Sequence, residues 1–212
     1  MTFCNPFSLR QFMDNTRYHQ DIKEFELVFA DGILLSRITS WVTGITTPRL
    51  AFDGNSIALQ VLKQATLMSK SIGLVGGMPG EVEIAVQKLF EAGIPVKFYH
   101  HGYFNAQERD ELLLAAKSQV DVLAVGMGAP AQEAFLGDLK NLGWTGAGFT
   151  CGAYISQIAA RGVRYYPDAI NKLHLRMFFR LFHEPRKLLW RYSIGYLPFY
   201  KGVGARFLRT LW

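Results

Sequence analysis

The sequence is poor in the residues that build covalent or metal-based frameworks. Only two cysteines occur in 212 residues, Cys4 and Cys151, and they lie too far apart to form a metal-binding motif or a disulfide framework. No histidine, cysteine and carboxylate cluster has the spacing of a metal site, so we expect neither a metal nor a cofactor. Two isolated cysteines are typical of a reducing, cytosolic compartment.

The chain also lacks a long apolar segment, although 50% of its residues are hydrophobic. A membrane-spanning helix needs about 18 consecutive uncharged apolar residues, and no run in the sequence is that long. The best candidate, Leu188 to Tyr200, is interrupted by Arg191. Met1 to Pro6 shows no basic segment followed by an apolar one, so no secretory signal is predicted. With 19% charged residues, the composition favours a globular domain with an appendage over a disordered chain.

Acidic residues are nearly missing from the last forty-one positions, where Glu184 stands against nine Lys or Arg. The remainder of the chain holds 14 basic and 16 acidic side chains, so the net charge of +6 arises at this end. Ten aromatic residues are interleaved with these cations. Such a segment favours docking onto an anionic surface. This predicts a cytoplasmic protein, peripheral on the inner face of the cell membrane.

The first part of the chain alternates between two hydrophobic patterns. Short apolar runs typical of buried parallel strands occur at Glu26–Ala30, Ser71–Val75, Pro95–His100, Val120–Val125 and Ala147–Cys151. Helical spacing occurs at Asp53–Met68, Gly80–Ala92, Asn105–Ser118 and, after a composition shift, Asp168–Tyr192. The alternation predicts an α/β fold: a Rossmann-like parallel sheet covered by helices on both faces. We expect the catalytic domain at 1–165 and a basic, aromatic, helical C-terminal appendage at 166–212.

Glycine-rich turns follow three of the predicted strands, at Gly76–Gly80, Gly126–Pro130 and Gly148–Gly152. Ligands of such sheets bind beyond the carboxyl ends of the strands, where main-chain N–H groups can bind phosphate. Gly76, Gly77, Gly126 and Gly128 are therefore candidate substrate-binding residues. None of the turns is a P-loop or a dinucleotide-binding motif, and each is equally consistent with a tight strand–helix turn.

Polar residues accompany these turns. Asp31 stands where a strand should end and is either a general base or a helix N-cap. Gln132 is placed to bind a ligand amide or hydroxyl, whereas Glu133 either contacts substrate or complements the helix dipole. Asp53 begins a segment that we interpret as an N-cap.

Three motifs together resemble the WecG/TagA/CpsF family of bacterial glycosyltransferases. They occur in the family's order and extend over essentially the whole chain. The motifs are Ala30-Asp31-Gly32, the run from Gly126 to Glu133, and the arginine block from Arg176 to Tyr192, and Asn5-Pro6 resembles the family's asparagine after its first strand.

The resemblance implies an inverting, metal-independent transfer of a hexose or N-acetylhexosamine from a UDP-sugar. The acceptor would be a polyprenyl-diphosphate-linked sugar, in surface or exopolysaccharide biosynthesis. Asp31 would be the general base, and Asn5 and Gln132 would bind substrate. The arginines that would hold the diphosphate are Arg176, Arg180, Arg186 and Arg191.

Two alternatives remain at this point. A basic nucleic-acid-binding α/β protein would explain the charge and the aromatics, but no DNA- or RNA-binding motif is present, so no nucleic-acid partner is expected. A catalytically degenerate family member would preserve the fold without the activity.

Overall fold

The computed structural model describes residues 1–167, 169–170, 173, 175–183, 185, 189, 193, 196, 197 and 201, without the side chains of residues 177, 180 and 183. The strands are β1 (Thr2–Cys4), β2 (Val28–Ala30), β3 (Ile72–Gly76), β4 (Phe98–His100), β5 (Val122–Gly126) and β6 (Ala147–Thr150). The helices are α1 (Pro6–Asp14), α2 (Thr16–Lys23), α3 (Ile33–Thr43), α4 (Ala58–Leu67), α5 (Glu81–Glu91), α6 (Ala106–Gln119), α7 (Ala131–Asn141), α8 (Tyr154–Arg161) and α9 (Arg176–His183).

All strand pairs are parallel. Four strands pair in the order β4-β3-β5-β6, and β1 pairs with β2. The two groups meet at β1 and β6, because Thr150 N donates to Met1 O and Phe3 N donates to Thr150 Oγ1. The sheet therefore continues as β4-β3-β5-β6-β1-β2. The connection that follows β3 leads to β4 at one side of the sheet, and the connection that follows β5 leads to β6 at the other side. The two connections therefore run in opposite directions from the β3–β5 pair, which makes this pair a topological switch point.

Side chains alternate between the two faces of the central strands. Ile72 and Leu74 belong to a buried cluster with residues of α4, α5 and α8. Val75 and Leu123 belong to a second cluster with residues of α6 and α7. A third cluster joins β1 and β2 to α2 and α3. Because both faces are covered, the central strands β3 and β5 are apolar throughout, which is why they could be recognised in the sequence.

The predicted α/β fold is confirmed, and each of the five predicted strands has a counterpart. The capping box of Asn105 and Glu108 is present at the start of α6. The Asp53 N-cap prediction is wrong: α4 begins at Ala58, because the Asp53 carboxylate accepts from Asn55 N and closes a turn instead. The helical pattern predicted for the appendage is present at Arg176–His183, which forms α9. The boundary at 165/166 stays a prediction.

Within the described part of the chain, no helix combines the length and the hydropathy needed to cross a membrane.

Candidate active site

The carboxyl ends of the strands lie at one edge of the sheet. Cys4 pairs with Ala30 and Gly76 with Gly126, and Asp31 N donates to Cys4 O at 2.7 Å. This places Asn5 and Asp31 side by side after β1 and β2. Ala129, in the turn after β5, packs against the cluster that contains Cys4 and Ala30. The structure therefore brings Asp31, Asn5 and the 126–130 turn to the same edge.

Asp31 is held by an arginine that sequence reasoning missed. Its side chain is 37% exposed, and Arg49 Nη2 lies 3.3 Å from Asp31 Oδ1. Arg49 forms a β-bridge with Ala30, so it stands directly beside the strand that ends at Asp31. Asp31 is followed by Gly32, at the start of α3, and no side-chain hydrogen bond caps that helix. The N-cap alternative for Asp31 is thus wrong, and a partly exposed carboxylate beside a cation remains.

The ion pair extends toward the appendage. Arg49 Nη2 also lies 3.4 Å from Asp53 Oδ2, and Arg176 Nη1 lies 2.8 Å from the same oxygen. Arg176 Nη2 donates to Asn55 O, and its guanidinium stacks 4.8 Å from the Tyr166 ring centroid. Burial lowers the pKa of Arg176, whereas the Asp53 carboxylate opposes that shift. These contacts connect Arg176 to Asp31 through Asp53 and Arg49, and its contact with substrate stays a prediction.

The glycine turns meet where the sheet diverges. Gly77 N donates to Gly126 O at 3.3 Å. A Cβ on Gly76 would collide with the Gly126 main chain, and a Cβ on Gly126 would lie 2.7 Å from Gly152 O. Close main-chain packing therefore requires glycine at 76 and 126. At Gly128, with φ +77°, a Cβ would meet nothing within 4 Å, so positive φ alone favours glycine there. Phosphate binding by these four glycines stays a prediction.

Gln132 and Glu133 lie almost entirely inside the protein, in the first turn of α7. Gln132 is 5% exposed and Glu133 is 0% exposed. Gln132 Oε1 accepts from Gly152 N at 3.1 Å, and Gln132 Nε2 donates to Glu133 Oε1 at 3.0 Å. Glu133 also accepts from Thr2 Oγ1 at 3.0 Å. Burial raises the pKa of Glu133. The Glu133 carboxyl thus faces the interior, where it ties α7 to β1.

The other predicted binding residues have different outcomes. Asn5 caps α1, because its Oδ1 accepts from Phe7 N and Ser8 N at 3.0 and 3.2 Å. Arg180 lies on α9, but its side chain is outside the described part, and Arg186 and Arg191 lie outside the described residues. Substrate binding by Asn5 and by these arginines stays a prediction.

A basic, aromatic cavity adjoins Arg176. Its volume is about 490 Å³, and its lining includes Arg161, Arg164, Tyr165, Tyr166 and Pro167. The Arg161 guanidinium stacks on the Tyr165 and Phe179 rings, with centroid distances of 5.9 and 5.2 Å. Among the described residues, no carboxylate pairs with Arg161 or Arg164. Two positive charges are therefore left for an anion.

Sequence analysis did not identify Arg49, Arg161 and Arg164 as candidate site residues, and the structure shows why. Arg49 lies in a segment without strand or helix periodicity, and its partner Asp31 is eighteen positions away. Arg161 and Arg164 precede the charge-rich appendage and occur in no motif. The only available signal was the excess of arginine near aromatic residues after α8. Among the described residues, no three His, Cys, Asp or Glu side chains converge on a point where a metal could bind.

Comparison with known proteins identifies the family of this chain. A relative from Shigella boydii, UDP-Gal:alpha-D-GlcNAc-diphosphoundecaprenol beta-1,4-galactosyltransferase, is 32% identical over 170 residues, which cover 79% of this chain and 70% of the relative. The family model for glycosyl transferases of the WecG/TagA/CpsF family matches residues 1–210. The matched range includes Asp31, the three glycine-rich turns, Gln132 and the arginine-rich end. The resemblance in the motifs is confirmed: the chain belongs to the WecG/TagA/CpsF family of glycosyl transferases.

Proposed function

We propose that this glycosyltransferase moves a hexose or N-acetylhexosamine from a UDP-sugar to a sugar carried on a polyprenyl diphosphate. The observation that carries this proposal is the Asp31 carboxylate at the carboxyl edge of the parallel sheet, partly exposed and paired with Arg49. The Shigella relative uses a UDP-sugar and a diphosphoundecaprenol-linked acceptor, as its name states. Polymers of the cell surface or exopolysaccharides are the products we expect.

In the proposed reaction, Asp31 acts as general base. It takes the proton of an acceptor hydroxyl while that oxygen attacks the anomeric carbon of the donor. The bond between the anomeric carbon and UDP breaks, and the electron pair leaves with the diphosphate. One displacement from the opposite face inverts the anomeric configuration. Arg49 supports the reaction by holding the carboxylate in position.

The leaving diphosphate needs positive charge or N–H groups around it, particularly when no metal takes part. Main-chain N–H groups of the turn after β5 would supply one such environment, at the point where the connections diverge. The C-terminal arginines supply another. We therefore propose metal-independent transfer with the donor diphosphate over the Gly76–Gly126 contact.

The acceptor side of the proposal involves the basic cavity. Arg161 and Arg164 have no carboxylate partner in the described structure, and Arg176 links the Tyr166 wall of the cavity to Asp53 and Arg49. An anionic diphosphate would complement these guanidinium groups. Exposed apolar residues on α9, including Phe178 and Phe182, would contact the inner membrane surface that carries the lipid. This arrangement would let a peripheral protein reach a membrane-bound substrate.

The test is a UDP-release assay with a panel of UDP-hexoses and UDP-N-acetylhexosamines and a short-chain prenyl-diphosphate-linked sugar as acceptor. We expect acceptor-dependent UDP release with one donor, a product of inverted configuration by NMR, and unchanged activity in EDTA. Release with none of the donors would contradict the function. Retention of configuration would contradict the mechanism, and loss of activity in EDTA would contradict metal independence.

A further inference from the structure

Glu133 is the end point of a hydrogen-bond chain that crosses the site. Phe3 N donates to Thr150 Oγ1 at 3.2 Å, and Thr150 Oγ1 lies 2.9 Å from Thr2 Oγ1. Thr2 Oγ1 donates to Glu133 Oε1. A hydroxyl has a single proton to donate, so Thr150 must donate to Thr2. Each hydrogen bond in this series is therefore donated in the direction of Glu133.

The second branch of the chain passes through Gln132. Its Oε1 accepts from Gly152 N, and its Nε2 donates to Glu133 Oε1. Rotating the amide by half a turn would bring Nε2 against the Gly152 N–H and Oε1 against the Glu133 oxygen. Both contacts would then be repulsive, so Gly152 and Glu133 fix the orientation together. The second Nε2 hydrogen of Gln132 has no acceptor among the described residues, and it is the group left for a substrate oxygen.

The surroundings of Glu133 disfavour a negative charge. Its side chain is fully buried, and its Oε2 has no hydrogen-bond partner in the described structure. Neither a lysine nor an arginine of the described residues pairs with it. Burial raises the pKa of Glu133; the hydrogen bonds from Gln132 and Thr2 oppose that shift in part, and the nearby Asp21 carboxylate adds to it. The other titratable groups in its vicinity, Cys4 and Tyr18, are themselves buried and carry no positive charge. Oε1 accepts from both Thr2 and Gln132, whereas Oε2 faces neither a donor nor a cation among the described residues.

We propose that Glu133 is a positioning residue that does not contact substrate and that orients the Gln132 amide. Through Gln132, it holds the Gly152 N–H and thereby fixes the turn between β6 and α8 relative to β1. The free Nε2 hydrogen of Gln132 is then presented in one direction. This inference deepens the proposed function and rests on it for the substrate that Gln132 meets.

Two substitutions separate this role from a charged or substrate-contacting one. Glu133→Gln keeps the size and the Oε1 acceptor, so the Gln132 orientation should persist. Glu133→Ala removes the acceptor of both Thr2 and Gln132, and Gln132 becomes free to rotate. Leu139→Ala is the matched control, because Leu139 is equally buried on the same helix but takes no part in the chain. Glu133→Met, which keeps the volume without the acceptor, replaces Glu133→Ala if the latter does not fold.

The experiment measures kcat, the KM for donor and acceptor, and the pH profile of each variant, well below its unfolding temperature. We expect Glu133→Gln to stay within about threefold of the unsubstituted protein with the same pH profile. Glu133→Ala should raise the donor KM about tenfold or more, whereas Leu139→Ala should lose stability with an unchanged KM. Equal losses in Glu133→Gln and Glu133→Ala would overturn the inference, as would a donor KM in Glu133→Ala no different from that of Leu139→Ala.

A second readout does not depend on activity. Amide hydrogen exchange at Gly152 should remain slow in Glu133→Gln and Leu139→Ala and become fast in Glu133→Ala. Fast exchange in Glu133→Gln would overturn the positioning role even if transfer activity cannot be detected. Failure of the UDP-release assay with the unsubstituted protein would instead reject the proposed function alone.

Discussion

Arg49 and Asp31 form an ion pair at the carboxyl edge of the sheet, with 3.3 Å between Nη2 and Oδ1. The same nitrogen lies 3.4 Å from Asp53 Oδ2, which in turn pairs with Arg176 at the start of α9. Two carboxylates and two guanidinium groups thus alternate from the proposed base to the appendage. The appendage is thereby connected to the site by direct contacts.

Arg49→Lys should reduce activity more than stability. A lysine ammonium replaces the planar fork of the guanidinium, so it cannot hold Asp31 and Asp53 in the same geometry. We expect kcat to fall about tenfold or more, while the unfolding free energy falls by about 1 kcal/mol because these groups are only partly buried. Kinetics and thermal unfolding measure the two effects.

Arg17→Lys is the control for Arg49→Lys. Arg17 also lies near two carboxylates, those of Asp21 and Asp138, but it is 62% exposed and lies on α2, away from Asp31. The kcat of the Arg17→Lys variant should equal that of the unsubstituted protein. If both lysine variants retained full activity, the role of Arg49 in holding Asp31 would be wrong.

Asp31→Asn should remove transfer activity without unfolding the protein. Asparagine has nearly the same size but cannot accept the acceptor proton, and general-base catalysis contributes about 10²–10⁴-fold. We expect UDP release to fall by at least about 10²-fold with donor KM little changed. Asp14→Asn, at an exposed carboxylate paired with Arg10, should be fully active. Full activity in Asp31→Asn would show that another group takes the proton.

The sequence was sufficient for the central strands and for Asp31, but not for the partners of Asp31. β3 and β5 are buried on both faces, so each must be apolar and is visible as a run. Asp31 is recognisable because it follows such a run. Arg49 reaches it only through a β-bridge at Ala30, a tertiary contact without local periodicity.

Glu133 illustrates a different limit. A carboxylate in the first turn of a helix ordinarily faces solvent and complements the helix dipole. Here α7 packs on β5 and β6, and Thr2 of β1 supplies the hydrogen bond to Glu133. Nothing near Glu133 in the sequence indicates burial, because its partner is 131 positions away. The glycine turns were recognised as turns, whereas the main-chain contact between Gly76 and Gly126 required the sheet register.

Gly76→Ala should destabilise the protein far more than Gly80→Ala. Both glycines have positive φ, +142° at Gly76 and +88° at Gly80, so both substitutions strain the main chain. Only at Gly76 does the added Cβ collide with another main chain, that of Gly126, whereas nothing lies within 4 Å at Gly80. We expect a loss of about 1 kcal/mol for Gly80→Ala and several times more for Gly76→Ala by chemical denaturation. Equal losses would show that the contact with Gly126 is not tight.

Replacing Arg161 and Arg164 together by glutamine should weaken acceptor binding selectively. If the cavity binds the acceptor diphosphate, the acceptor KM should rise about tenfold or more while the donor KM stays constant, since charged hydrogen bonds contribute about 1.5–3 kcal/mol. Lys97→Gln with Lys117→Gln removes the same charge from the amino edge of the sheet and should change neither constant. A rise in the donor KM alone would place the cavity on the donor side, and an equal rise in both KM values would contradict a selective role in acceptor binding.

Phe178→Ser with Phe182→Ser should reduce binding to anionic vesicles. These side chains are 60% and 85% exposed on α9, beside the arginine-rich end of the chain. Inserting a phenylalanine into the interface contributes about 1.5–3 kcal/mol, so the double variant should lose at least about tenfold in vesicle affinity in a sedimentation assay. Tyr99→Ser with Phe90→Ser, at exposed aromatics on β4 and α5, serves as the control and should bind normally. UDP release with a water-soluble acceptor should persist in both variants, because the substitutions leave Asp31 and Arg49 in place. Unchanged vesicle binding in the α9 variant would mean that this helix does not contact the membrane.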